Sequence, residues 1–394
     1  MLLGFVLALF LLTQTAFGAE GESLAVDPVE ESDNYSAVMY DNTNGLPTSE
    51  ANAIAQTSEG FIWIGSYGGL IRYDGNTFER MDSTTGIGSV VSLHVDSMDR
   101  LWIGTNESGL ALMDRGEIRF WKEEDGLTSS KVCTIEEDEN GIIYIGTTSG
   151  LYMVYPDMSL KSFDHPNISK AYIEHIIRGK DGLLYCTTNE DDYFILRDGK
   201  LVAYTDHSNA SIQGITSLLP DPDSPGEVYV GAEGAVVYHG YLENNPELME
   251  PTDISPLSSV IYMQKFGDQL WICARNGIGM IDSRGFHHLS DLPLNNSIAQ
   301  VMADYEGNLW FVSLRQGVMK LVSNHFSDIF ERYGLPESIV NSTCMYEGKL
   351  FIGTDTGLMV LDEESQVSEI PLTEAKTASG KDLEAKDQIG RAHV

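Results

Sequence analysis

The sequence predicts an all-β chain: a seven-bladed β-propeller of four-stranded antiparallel blades, plus the start of a second propeller. Three observations predict it. An aromatic-led triplet recurs at Trp63-Ile64-Gly65, Trp102-Ile103-Gly104, Tyr144-Ile145-Gly146, Tyr185-Cys186-Thr187, Tyr229-Val230-Gly231, Trp271-Ile272-Cys273, Trp310-Phe311-Val312 and Phe351-Ile352-Gly353, and its aromatics stand 39, 42, 41, 44, 42, 39 and 41 residues apart. A period near 40 residues with four short strands per unit is how propeller blades repeat. Downstream of each aromatic a Gly plus an apolar residue returns, from Gly69-Leu70 to Gly357-Leu358, except in the fourth repeat, which reads Asp192-Tyr193. Finally, residues 34–54 and residues 324–343 share one plan, a strand, a polar turn, Gly-Leu-Pro and a new strand.

The first repeat shows how each unit is spelled. Phe61-Ile62-Trp63-Ile64 is β-branched and aromatic, as a packed strand requires. Gly65 to Gly69 supplies a tight turn, and Leu70-Ile71-Arg72-Tyr73 is the return strand. Asp74-Gly75 marks a hairpin, after which Phe78 opens an outer strand. The first strand of a unit lies upstream, as in Val90–Val95 and Ile298–Met302, and leads into polar turns beginning at Asp96, Asp138 and Asp304. The aromatics therefore read as packing between blades and the glycines as turns. For Trp63, Trp102, Trp271 and Trp310, stacking on a ligand is the alternative role.

An N-terminal strand with no blade of its own completes the last blade of a ring, so the segment near residue 324 reads as a fresh start. The expected organisation is a signal peptide over 1–18, a linker over 19–33, the seven-bladed propeller over 34–323 and the first part of a second propeller over 324–388. Residues 2–12, LLGFVLALFLL, have the length of a signal-peptide core and are too short to span a bilayer comfortably. Ala16 and Gly18 are placed for cleavage before Ala19. No Lys or Arg precedes the apolar run, so the true start is expected upstream. Residues 389–394, Ile-Gly-Arg-Ala-His-Val, read as one translated frame of a common sequencing adapter, ATC-GGA-AGA-GCA-CAC-GTC, so the gene is expected to continue.

Composition narrows the partners. The chain has 394 residues, 42% hydrophobic, with 24 Lys plus Arg against 59 Asp plus Glu, a formal net charge of −35. Such a surface repels nucleic acid and anionic membranes. The acids are dispersed through turns. The one suggestive run, Asp221-Pro222-Asp223-Ser224-Pro225-Gly226-Glu227, lacks the spacing of a Ca²⁺ loop, so no metal is assigned. Cys133, Cys186, Cys273 and Cys344 fall in strands of different repeats with no C-x-x-C pair, and read as buried free thiols.

Catalytic motifs are absent: no G-x-S-x-G, H-E-x-x-H or P-loop occurs, and Gly277-Ile278-Gly279 fails the dinucleotide fingerprint. No catalytic residue or cofactor is assigned. His287-His288 falls at an outer-strand hairpin and reads as structural.

The pattern Gly45-Leu46-Pro47, Trp63-Ile64-Gly65, Gly69-Leu70, Tyr73-Asp74-Gly75 and Phe78 resembles the two-component regulator propeller repeat. The resemblance covers nearly all of residues 34–362, closely in repeats one to three and eight and loosely in repeats four to seven. It implies the exported sensor region of a membrane protein: two propellers, a linker domain, a transmembrane helix and a cytoplasmic histidine kinase or diguanylate cyclase. It also implies recognition of a small polar ligand, often a glycan fragment, and a homodimer in the full-length protein.

In a propeller, the turns between second and third strands share one face with the loops into the first strands. Repeat alignment puts Tyr67, Asn106, Glu107, Thr148, Asn189, Glu190, Glu233, Arg275, Asn276, Arg315 and Gln316 at those turns. Tyr67 could stack on a sugar ring and the Arg residues could hold a carboxylate; ordinary solvated loops are the alternative. At this level three functions stay open: a sensor module, an exported propeller enzyme acting on polysaccharide, and an adhesion or scaffold propeller.

Overall fold

The computed structural model describes residues 24, 27–29, 35–206, 212, 214–242, 248–323, 338–354, 357–361 and 367–370. The expected signal peptide and the closing hexapeptide lie outside the described residues. The chain divides into two compact units, Met1–Ser323 and Asn324–Val394.

Among the described residues, the first unit holds seven four-stranded antiparallel sheets. Blade 1 runs Ala53–Gln56, Ile62–Ser66, Gly69–Tyr73, Phe78–Arg80, and its strands pair in that order. The first strands of blades 2 to 6 are Val90–Val95, Val132–Glu137, Ile173–Arg178, Ile215–Pro220 and Val260–Phe266. Blade 7 takes Ile298–Ala303, Leu309–Ser313 and Gly317–Ser323, and borrows its fourth strand from the N-terminal Tyr35–Tyr40. That strand lies antiparallel with Tyr35 opposite Ser323 and Tyr40 opposite Val318. Successive first strands are neighbours, and the first strand of blade 7 neighbours that of blade 1, so the ring is closed. Closure leaves every blade with a partner on both faces, which a lone meander lacks.

The core is a series of layers between blades. Trp102 packs with Ile143, Ile145 and Tyr152 of blade 3; Trp271 with Leu309 and Phe311 of blade 7; Trp310 with Ile62, Ile64 and Tyr73 of blade 1. These three tryptophans are fully buried, and Trp63 is 7% exposed against Leu101 and Ile103 of blade 2. Each such side chain contributes about 1.5–3 kcal/mol by leaving water. Their indole N–H groups need acceptors, and the polar turns supply them. Asp96 accepts from Trp102 Nε1 at 2.7 Å and from the Arg100 backbone at 2.9 Å; Asp304 accepts from Trp310 Nε1 at 2.8 Å and from the Asn308 backbone at 2.9 Å. Asp138 does the same for the Tyr144 hydroxyl at 3.0 Å. One buried carboxylate thus closes the turn and satisfies the aromatic donor together.

The glycine of the triplet needs a correction. Gly65 lies within the second strand, and the turn is Tyr67-Gly68. The reason is the next blade. A Cβ built on Gly65 would stand 2.6 Å from Val90 Cγ1; on Gly104, 2.8 Å from Val132 Cγ1; on Gly146, 2.8 Å from Ile173 Cγ2; on Gly231, 2.7 Å from Val260 Cβ. Each glycine makes room for the β-branched residue that opens the next first strand, and Gly104 and Gly146 also for Ser92 and Thr134 of their own blade, which stand closer still. The downstream glycine is the one that turns: Gly69, Gly109, Gly150 and Gly317 all have positive φ.

Leu24 and Val29, from the expected linker, pack against the layer between blades 6 and 7, and Asp27 lies 3.5 Å from Arg284. Among the described residues, the second unit contains one four-stranded sheet, Val340–Tyr346, Lys349–Thr354, Leu358–Leu361 and Val367–Ile370. Its Ile352 is buried, whereas Ile339, Met345 and Tyr346 are exposed. The four cysteines are free thiols.

Candidate functional site: a funnel on the propeller axis

A break in strand register builds the site. Where the first strand of a blade meets the second, pairing jumps from Val90 to Ser92, Val132 to Thr134, Ile173 to His175, Ile215 to Ser217 and Val260 to Tyr262. The skipped residues are Val91, Cys133, Glu174, Thr216 and Ile261. A bulged residue leaves the ladder and is re-aimed. All five line one cavity of about 880 Å³. The β-branched residue before each bulge is anchored against the preceding blade, and the next side chain is released toward the axis.

The cavity wall is uneven. Lys131 comes from blade 3, Tyr172, Glu174, His175, Asn189 and Asp191 from blade 4, and Thr216 and Glu233 from blade 5. The Lys131 ammonium stands 5.8 Å from the Tyr172 ring centroid. Asp191, in a left-handed conformation with φ 63°, accepts from the backbone N–H groups of Gly214 and Ile215, each at 2.9 Å, and so ties blade 4 to blade 5. Burial, and then the charge of Asp191, holds the Glu174 carboxyl above its usual range. Burial pushes the Cys133 thiol up against the opposing pull of its hydrogen bond to Tyr172. The Tyr172 hydroxyl is pushed up to about 12, chiefly by burial. His175 shares a 2.9 Å hydrogen bond with Thr187 Oγ1, and burial pushes its imidazole down to about 4. Burial thus keeps the His175 imidazole and the Tyr172 phenol neutral at neutral pH.

Below the funnel, a second cavity of about 470 Å³ runs between the first strands and shares Val91, Cys133, Glu174, His175 and Ile261 with the first. Asn52, Ser92 and His94 line it, and Asn52 Oδ1, Ser92 Oγ and His94 Nε2 are buried with no hydrogen-bond partner among the described residues. Polar atoms around a space of this size are suited to ordered water.

Of the candidate residues read from the repeats, Asn189 and Glu233 line the funnel. The rest do not line it. Tyr67 is 52% exposed on the blade 1 turn. Asn106, Glu107, Glu190, Arg275 and Arg315 sit on turns of their own blades; all of these except the half-buried Asn106 are exposed. Thr148 shares a 2.7 Å hydrogen bond with Ser129. Asn276 accepts from the Ser258 N–H and donates to the Pro256 carbonyl, each at 2.8 Å, and Gln316 accepts from the Asn295 N–H at 3.1 Å. These three side chains brace loops. The bulged residues and Lys131, Tyr172 and Asp191 escaped the repeat reading. Their one sequence signal is position, immediately beside the β-branched residue that opens each first strand.

On blade 5, the Asp221 to Glu227 run has its own cation. Lys265 Nζ lies 2.9 Å from Asp221 and 2.7 Å from Asp223, and His239 Nε2 lies 2.9 Å from Asp221 and 3.4 Å from Glu227. Burial opposes the Lys265 charge, yet the hydrogen bonds it donates to Asp223 and Asp221 hold its ammonium above the ordinary value. The cluster is a tie between blades 5 and 6.

Fold and funnel together define the class: a β-propeller with a ligand-sized polar cavity at the axis of its ring. Residues 45–68 match the family model described as two component regulator propeller. No curated protein matches the chain. Among solved structures, the chain is similar to the extracellular domain of BT3049 from B. thetaiotaomicron, described as a hybrid two component system, with 19% identity and a TM-score of 0.60 over 88% of this chain and 51% of that one. The extracellular domain of BT4673 from the same organism gives 22% identity and a TM-score of 0.57 over 86% of this chain and 47% of that one. This chain thus spans about half the length of those domains. A catalytically inactive variant of virginiamycin B lyase from Staphylococcus aureus, solved with quinupristin, gives 16% identity and a TM-score of 0.58 over 73% of this chain and 99% of that one. At these identities the likeness is one of fold.

Proposed function

We propose that this chain is the exported, ligand-sensing part of a membrane-anchored bacterial signalling protein, and that it holds a small polar ligand in the funnel. The observation that carries the reading is the cavity of about 880 Å³ on the ring axis, floored by bulged residues and walled by polar side chains from three blades. Binding sites favour such concave, preformed places. The matched repeat and the extracellular sensor domains of the same fold support the signalling role. Glycan fragments are the ligand class that the family resemblance brings. The sheet of the second unit reads as the first blade of a second propeller, and a kinase or cyclase output with a homodimeric assembly completes the scheme. Ligand binding biases the propellers between two arrangements, and that bias is passed to the output.

The test is calorimetry with the full chain and a panel of oligosaccharide fragments and other small polar solutes. Binding that is lost in Asn189→Ala and Glu233→Ala supports the reading. A panel that gives no heat with the native chain sinks it.

An enzymatic reading has one observation in its favour: Glu174, a carboxyl held above its usual range inside a cavity, has the character of an acid catalyst. Turnover of a polysaccharide that Glu174→Gln abolishes would put that reading first.

A further inference from the structure

We infer that the funnel is built for a zwitterion, a ligand that carries a protonated amine and a carboxylate, such as an α-amino acid or a short peptide. The inference rests on the reading of the funnel as the ligand site and narrows the chemistry of that ligand.

Three charged groups on the wall lack a counter-ion. Lys131 stands over the Tyr172 ring but forms no ion pair among the described residues. Glu174, at the bulge of blade 4, and Glu233, on the turn between the second and third strands of blade 5, form none either. Asp191 faces the same cavity, but its two oxygens are committed to the Gly214 and Ile215 N–H groups. The ammonium is carried by blade 3 and the carboxylates by the adjoining blades 4 and 5, and among the described residues no ion pair joins them across the cavity.

Lys131 and Glu174 are half-buried, where charge is costly without a partner, whereas Glu233 is exposed at the mouth of the cavity. A neutral sugar leaves all three groups unpaired. A simple anion meets Lys131 but also the carboxylates, in a chain whose net charge is −35. A simple cation leaves Lys131 unanswered. A zwitterion placed with its carboxylate toward Lys131 and its ammonium toward Glu174 and Glu233 answers each charge at once. Thr216 Oγ1, on the same wall, is buried and has no hydrogen-bond partner among the described residues, so it is available to the ligand.

The experiment is titration calorimetry on the full chain with the twenty L-amino acids and diglycine, beside acetate, methylamine and cellobiose. The expected result is a zwitterion that binds at least tenfold tighter than all three simple probes. Lys131→Met and Glu174→Gln should each weaken it about 10- to 100-fold, the weight of one charge-assisted hydrogen bond. Lys131→Met should also stop the protein from distinguishing that ligand from its own carboxamide, whereas Glu174→Gln should keep the distinction. A purely structural role for either residue would not produce that split, and circular dichroism checks that both variants are folded. If cellobiose binds as well as any zwitterion and both variants bind it unchanged, the funnel is a neutral-sugar site; the zwitterion inference falls and the sensing role stands. If no probe of any class binds, both fall.

Discussion

Gly65→Ala tests how the blades fit together. The backbone at Gly65 carries no positive φ, so alanine is conformationally allowed there. Its Cβ would meet Val90 Cγ1 at 2.6 Å and Val90 Cβ at 3.2 Å, with Ala53 Cβ at an ordinary 3.6 Å. The clash is therefore with one neighbour on the next blade. Overpacking of this kind costs about 1–3 kcal/mol, and the reduced freedom of the unfolded chain returns about 0.4–1 kcal/mol. The net expectation is a loss of about 1–2 kcal/mol, or about 2–4 °C in midpoint for a unit of this size. Gly68→Ala is the internal control. Its nearest contact is Arg80 Cζ at 3.6 Å, so it should leave stability unchanged or raise it slightly. Tryptophan fluorescence in urea is the assay, because all 5 tryptophans, Trp63, Trp102, Trp121, Trp271 and Trp310, lie in the first unit. Val90→Ala removes the clashing methyl, so Gly65→Ala/Val90→Ala should cost about 1–2 kcal/mol less than the sum of the two single changes. Additive costs, or a Gly65→Ala protein as stable as Gly68→Ala, would refute the packing argument.

Further outcomes follow from the same structure. His175 has a folded-state value near 4 against the ordinary 6.5, so the unfolded chain binds its proton first as pH falls. Stability should be lost between pH 6.5 and about 4, by at most about 3 kcal/mol, and a urea series across that window should show His175→Gln losing correspondingly less. Asp304→Ala strands the Trp310 indole N–H and the Glu306 and Asn308 backbone N–H groups, and should destabilise the first unit by about 3 kcal/mol or more in the fluorescence assay. Deleting residues 35–40 removes the fourth strand of blade 7 and the Tyr40 ring that stacks on Trp310 at 6.1 Å. Unfolding should then become broad and early, and a peptide spanning residues 34–46 should restore it; an unchanged midpoint without the strand would show that the ring does not need this closure.

The sequence by itself determined the repeat, the number of blades in the ring and the borrowed N-terminal strand. Those features are written as local spacing: an aromatic every forty or so residues, and a β-strand left over before the first repeat. It also marked the aromatics as packing groups, because a large ring between polar turns has few other places to go. Tertiary structure decided two things that local spacing cannot carry. One is the meaning of the triplet glycine, which is set by Val90, Val132, Ile173 and Val260 on the following blade, with Ser92 and Thr134 of its own blade at Gly104 and Gly146, and not by any turn. The other is the wall of the funnel. Register breaks at the start of the first strands re-aim Val91, Cys133, Glu174, Thr216 and Ile261 toward the axis, whereas most of the turn residues aligned by repeat stay on exposed turns or brace loops. A bulge exists only between two paired strands, and nearness to the axis exists only once the ring has closed. Neither property belongs to a residue until its neighbours are in place.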